Sequence, residues 1–294
     1  MDHAADQVPL LEFDHDRAAL LEPAESAAYW ASAPAPTAGG PGAVGPCVQE
    51  SAAGSAPKRT VCAPAAAVAC FFPEMVAQMK GRGRPLLQLP SGQPLWEVEH
   101  RGQRLAVFYP GMGAALASYS LELAIAVGCR SIVACGGAGA LQSSLPMGHH
   151  VVTVTSAIRD EGASYHYLPP SREVQADPEV AKLAAAVLAR RNLPHLAGRT
   201  WTTDGIFRET PARVARRRGQ GCLTVEMEAS ALIAVAAFRC VRFGQLLYAG
   251  DDLSGEAWQS RDWKRATEVR ELLVDVAADS ALLVADRLAR QGPT

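Results

Sequence analysis

From about Thr60 to Arg290, short apolar runs alternate with Ala-rich helical stretches, and this alternation constrains the fold more than any other feature of the chain. "TVCAPAAAVACFF" reads as a strand after a loop. "LWEVEHRGQRLAVFYP" alternates apolar and polar residues on both sides of Arg101–Gly102, the pattern of a β-hairpin. "GMGAALASYSLELAIAVG" is a glycine turn, a helix and a C-terminal glycine. "RSIVAC" predicts a buried strand running into "GGAGAL", and "HHVVTVTSAI" and "VRFGQLLYAG" predict two more, the last ending at "DDLSGE". "ADPEVAKLAAAVLARRN" predicts a helix with Asp177 as N-cap, Pro178 in the first position and a basic last turn. An amphipathic helix is expected from about Arg261 to Arg290. Parallel strands need crossover helices, so this order implies an α/β fold: a single domain with a central mixed, largely parallel β-sheet flanked by helices.

Ahead of that domain, assigned to residues 59–294, the chain divides in two. Residues 31–58 are mostly Ala, Pro, Gly and Ser, with too few bulky groups to offset the entropy of ordering, and read as a flexible linker. Residues 1–30 form an N-terminal arm carrying Leu10, Leu11, Phe13, Leu20 and Leu21, either docked on the body or a loose tail. A net charge of −2 gives no signature of nucleic-acid or polybasic membrane binding. No apolar run is long enough for a membrane span, and "MDHAADQ" has no signal core. The seven cysteines are scattered without a CxxC pair, which argues against a zinc site or disulfide frame and points to reduced thiols in a cytoplasmic protein.

Ligands of α/β sheets sit at the carboxyl ends of strands, and three predicted strand ends carry unusual residues. Gly136 and Gly137 open "GGAGAL", where a ligand can approach the backbone or the chain simply turns. The spacing is wrong for a dinucleotide fingerprint. Glu226 and Glu228 flank Met227 before the almost uncharged run "ASALIAVAAF". Extended, their side chains share one face; a carboxylate there can accept hydrogen bonds from a vicinal diol, or the acids can serve the helix dipole. Asp251–Asp252 after "QLLYAG" can bind a cation, cap a turn or include a general acid.

Taken in this order, "ACGGAGAL", "RDEGASYHYLP", "TTDGIFRET", "VEMEAS" and "AGDDLSG" resemble the nucleoside phosphorylase superfamily, which includes purine nucleoside phosphorylases, uridine phosphorylases and methylthioadenosine/S-adenosylhomocysteine nucleosidases. The resemblance covers about residues 60–290. It implies that Met227 and Glu228 contact ribose with Glu226 nearby, that Ile206 or Phe207 lies against the base, with Arg208 beside it, and that Asp251 takes the place of the acid that assists the leaving base. The chemistry implied is cleavage of an N-glycosidic bond. Positive charge grows on the sugar beside Glu228, and the heterocycle leaves with a proton or strong hydrogen bond from Asp251.

The sequence departs from phosphorylases of this type at the phosphate site. An Arg is expected two positions before the first glycine of "GGAGAL", where this chain has Ala134, and a Ser or Thr after it, where it has Gly137. Hydrolytic members carry a Glu after the first strand, and "FFPEM" offers Glu74 there, otherwise an ordinary helix-start acid. Hydrolysis is therefore slightly favoured for a purine-like nucleoside. The alternatives are phosphorolysis of a purine or uridine nucleoside, with phosphate bound by Arg159, Arg208 or an Arg of a neighbouring subunit, and a non-catalytic nucleoside-binding protein. No cofactor is expected beyond inorganic phosphate as a possible co-substrate. The resemblance also implies a homo-oligomer: a dimer, trimer or hexamer.

Overall fold

A computed structural model of the chain describes residues 9–32, 61–143, 145, 151–255, 257–260 and 267–291. The linker expectation falls almost entirely outside these residues. Within them the elements follow the predicted order. Helix α1 (Pro23–Ser32) precedes β1 (Ala66–Cys70), α2 (Pro73–Ala77), β2 (Arg84–Gln88) and the hairpin of β3 (Pro94–His100) and β4 (Gln103–Phe108). Then come α3 (Ala114–Ala126), β5 (Ser131–Ala140), β6 (Val151–Asp160), β7 (Glu173–Gln175), α4 (Pro178–Arg190) and β8 (His195–Thr203). The chain continues through α5 (Pro211–Gly219), β9 (Cys222–Glu226), α6 (Ala229–Phe238), β10 (Arg242–Asp252) and α7 (Thr267–Gln291). The expected cap is present: Asp177 Oδ1 accepts from the Glu179 and Val180 N–H groups, at 2.9 and 3.3 Å.

The sheet is mixed. β1 pairs in parallel with β4 and β5, and β5 in parallel with β10. β6 runs antiparallel to β10, β8 parallel to β6, and β9 parallel to β8 but antiparallel to the end of β5. Strands β5, β10, β6, β8 and β9 therefore close a ring of pairings, which alternation alone does not announce. β1, β4, β3 and β2 extend from it. Two layers cover the sheet. α3 and α6 pack on Ala67, Ile132, Ala134 and Leu247, whereas α4 and α7 pack on Val68, Val133, Cys135 and Leu246. Helix α6 is buried on all sides from Ala229 to Ala236, which explains its uncharged sequence. Helix α1 of the arm packs on α3, although Leu20 and Leu21 remain exposed.

Two boundaries differ from the sequence reading. "GGAGA" is not a loop; it belongs to β5, held straight by β10, which pairs with Gly136 through Leu247 and with Gly137 through Tyr248. Likewise Asp251 and Asp252 belong to β10, beyond a bulge between Ala249 and Asp251. A bulge inserts one unpaired residue and re-aims the side chains that follow it.

Candidate active site

The site is built around the last turn of pleat in β5. On one edge, β1 pairs with β5 as far as Cys135, and β9 takes over at Gly139. Gly136, Gly137 and Ala138 lie in the gap between them, without a strand neighbour on that edge. Packing is close there: a Cβ on Gly136 would meet Phe71 Cβ at 3.1 Å, and one on Gly137 would meet the Tyr248 ring at 3.2 Å.

β9 leaves β5 after Val225, and its antiparallel register carries residues 226–228 back toward this gap. Glu226 and Glu228, both buried, then take different tasks. Glu226 caps the buried end of α6. Its Oε2 accepts from the N–H groups of Glu228 and Ala229, at 2.7 and 2.6 Å, and its Oε1 accepts from the Thr202 hydroxyl at 2.6 Å. The Thr202 oxygen in turn accepts from Ser230 N–H at 3.0 Å. A helix start inside a core has no water for its free N–H groups, and this carboxylate supplies their acceptor. The helix-end reading of the two acids thus holds for Glu226. Glu228 is turned away to the start of α3, where its Oε1 accepts from Gly113 N–H at 2.6 Å. Gly111 and Gly113 have φ of 93° and 92°, the left-handed region that favours glycine. That turn, read in the sequence only as punctuation, aims the N–H that holds Glu228. Burial, then the Glu226 charge, pushes the Glu228 carboxyl above the usual carboxylate range, with Asp204 adding to the rise and the Gly113 N–H opposing it. Burial likewise raises Glu226, against its three hydrogen bonds. Met227 between them is half-buried.

Asp251 reaches the same end of β5 from the other edge, paired with Gly139. Val225 and Asp251 thus flank Gly139, with their backbones about 10 Å apart, two interstrand spacings. Both side chains lie on the face a Gly139 Cβ would occupy: it would sit 3.0 Å from Val225 Cγ1 and 3.4 Å from Asp251 Oδ1. Glu226, next to Val225 in the strand, points to the opposite face. Asp251 Oδ2 accepts from the Trp258 indole N–H at 2.6 Å. Sequence reasoning missed Glu209 beside it. Burial, then the Asp251 charge, pushes the Glu209 carboxyl up to about 7.

Three further places fall differently from expectation. Glu74 stands at the start of α2, but its carboxylate is held by Arg270 of α7 at 2.6 Å. Arg270 also lies 3.4 Å from the Tyr248 hydroxyl, which ties Glu74 to the ring against Gly137. Arg159 is buried, and its guanidinium donates to Ser164 Oγ, Ser171 Oγ and the carbonyls of Leu168 and Pro169, at 2.7–3.1 Å. It fixes the 163–171 segment and presents no fork to a phosphate. Ile206, Phe207 and Arg208 form a short 3-10 turn after β8, and all three are exposed, Phe207 at 95 %. Within one chain the aromatic ring expected against a base faces solvent.

The family model described as the phosphorylase superfamily matches residues 65–288. The chain belongs to this superfamily. It is 31 % identical over 181 residues to a DeoD-type purine nucleoside phosphorylase of Myxococcus xanthus, a match spanning 60 % of this chain and 75 % of that one. To a guanosine phosphorylase of Halorubrum lacusprofundi it is 30 % identical over 151 residues, 51 % of this chain and 61 % of the relative. Among solved structures, uridine phosphorylase of Vibrio fischeri superposes with a TM-score of 0.63 at 19 % identity, covering 75 % of this chain and 91 % of that one. Purine nucleoside phosphorylase of Toxoplasma gondii, in complex with immucillin-H, superposes with a TM-score of 0.67 at 18 % identity, covering 77 % and 93 %. At such identities these two establish the fold. Membership of the phosphorylase superfamily makes the chain an enzyme of the class the sequence resembled, and none of its described helices is long and apolar enough to cross a membrane.

Proposed function

We propose that this phosphorylase-superfamily chain cleaves the N-glycosidic bond of a nucleoside, with inorganic phosphate as the acceptor and no other cofactor. The observation that carries the reading is the buried Glu228 carboxyl, anchored by Gly113 N–H beside a glycine gap at the end of β5. Such a carboxyl meets a ribose diol with both oxygens and sits in the field of the positive charge that grows on the sugar. Asp251 is the partner for the departing base. Glu209 lies beside it, its carboxyl pushed up to about 7 by burial and by the Asp251 charge. Met227 lies along the sugar, and the exposed Ile206–Arg208 turn closes on the base, with Phe207 supplying its face. Purine is the preferred base, because Asp251 occupies the leaving-group position and both sequence relatives are named for purine or guanosine cleavage.

The slight preference for hydrolysis finds no support among the relatives, which are named phosphorylases. Its proposed base, Glu74, is engaged by Arg270. Hydrolysis stays as a second reading because Ala134 stands where an Arg would hold phosphate and Arg159 is spent within its own loop. A panel of purine and pyrimidine nucleosides, assayed for free base with and without phosphate, separates the readings. Release that requires phosphate is expected. Release without phosphate that is lost in Glu74→Gln would establish water as the acceptor, and no release from any nucleoside would leave a binding protein. Assembly as a homo-oligomer, in the cytoplasm, completes the proposal; light scattering on the purified chain should report a dimer, trimer or hexamer.

A further inference from the structure

After Asp252 the chain turns back. Asp252 and Gln259 exchange both backbone hydrogen bonds, at 3.0 Å each, so Gln259 lies along the end of β10. The start of this return is fixed from several sides. Leu253 N–H donates to the Ala140 carbonyl at the end of β5, at 2.9 Å, and Ser254 N–H donates to Asp252 Oδ1 at 2.7 Å. The Arg218 guanidinium of α5 donates to the carbonyls of Leu141, Leu253 and Ser254, at 2.8, 3.2 and 2.8 Å. The return brings Trp258 to Asp251, where its indole N–H donates to Oδ2 at 2.6 Å.

Burial does not explain where this tryptophan sits. Its side chain is 61 % exposed, so the position hides little of the ring from water. Its hydrogen bond, by contrast, is well used: among the described residues no other donor and no cation holds the Asp251 carboxylate. The contact also makes the two oxygens of Asp251 unlike. An indole N–H donates and cannot accept, so Oδ2 is an acceptor and a proton on Asp251 belongs on Oδ1. Oδ1 lies on the bare face of Gly139, 3.4 Å from where a Cβ would stand.

We propose that Trp258 is a positioning residue of the reaction, which holds Asp251 by Oδ2 and leaves Oδ1 to meet the departing base. The inference rests on the role given to Asp251 above. In the step it serves, the electron pair of the glycosidic bond moves onto the base, the Oδ1 proton passes to a base nitrogen, Asp251 is left as a carboxylate, and the sugar carbon takes a phosphate oxygen. As Oδ1 loses its proton, the bond from Trp258 becomes charge-assisted and strengthens. That gain belongs to the transition state and not to the bound substrate, so it enters kcat. Trp258 acts through Asp251 and needs no contact with the nucleoside.

The test uses the full chain, inorganic phosphate and the purine nucleoside it cleaves fastest. Trp258→Phe keeps an aromatic ring and removes the N–H; Trp258→Leu serves if that variant does not fold. Loss of the N–H is expected to lower kcat about tenfold, the worth of a hydrogen bond to a charged group, with KM and melting temperature little changed. The double variant Trp258→Phe/Asp251→Ala is expected to be no slower than Asp251→Ala, because nothing is left for Trp258 to hold. The contact is also read without turnover: the indole N–H resonance of Trp258, assigned by its loss in Trp258→Phe, is expected to move upfield in Asp251→Ala. Unchanged kcat in Trp258→Phe, a raised KM with kcat intact, losses that multiply in the double variant, or an indole resonance indifferent to Asp251 would each overturn the proposal. Asp251→Ala at full kcat removes the acid itself, whereas a slow Asp251→Ala beside an unimpaired Trp258→Phe removes only the part given to Trp258.

Discussion

At the scale of single residues, two glutamates two positions apart have separate fates, and mutation should tell them apart. Glu226→Ala removes the acceptor of two buried N–H groups and of the Thr202 hydroxyl. Each such loss costs roughly 1–3 kcal/mol, so chemical denaturation should show a fall of at least ~2 kcal/mol. Glu228→Ala should leave most of that stability and raise KM while lowering kcat. Asp251→Ala should lower kcat by about 10²–10⁴ with little change in KM, the range for lost proton transfer; an unchanged kcat removes its assigned role. The raised Glu228 carboxyl also sets a pH dependence. The folded state keeps this proton above the pH at which the unfolded chain releases it, so folding takes up a proton and stability falls as pH rises from the usual carboxylate range to the raised value. Thermal melts between pH 5 and 8 should decline, and Glu228→Gln should flatten the decline.

At the scale of elements, the chemistry depends on how strands end. The pairing of β1 along β5 stops at Cys135 and that of β9 starts at Gly139, and the three β5 residues between them form the gap. The bulge before Asp251 puts its carboxylate on Gly139's bare face. Gly113→Ala tests the α3 turn. A Cβ there meets no neighbour, but φ of 92° is strained for any L side chain, at about 1–2 kcal/mol. Relaxation of that strain moves the N–H that holds Glu228, so activity should fall further than stability does, as a comparison of kcat/KM with melting temperature would show.

At the scale of the whole molecule, the closed ring of β5, β10, β6, β8 and β9 gathers residues from distant parts of the chain. Glu228 and Gly113 are 115 residues apart in sequence and joined by one hydrogen bond. Arg17 of the arm stacks on the Phe238 ring, 4.5 Å from its centroid, and reaches Cys240 across 223 positions. Substituting Arg17 with Ala should cost less than ~1 kcal/mol of stability, the ordinary worth of an exposed cation–π contact, as denaturant titration would measure.

The sequence by itself determined the fold class, the Asp177 cap, the β3–β4 hairpin and the family, but it did not mark β2, β7, β8 or α5. What it determined rests on short-range signals: periodicity, turn residues and local motifs that physics reads within one or two elements. It also marked the end of β5 as the place to look, because glycines and acids collect at strand ends. Only the tertiary structure decided that Glu226 serves a helix while Glu228 is held by Gly113, that Arg159 and Glu74 are already engaged, and that Glu209 stands beside Asp251. Those assignments depend on partners far along the chain, and a carboxylate or guanidinium looks the same in sequence whether its hydrogen bonds go to the protein or are left for a ligand.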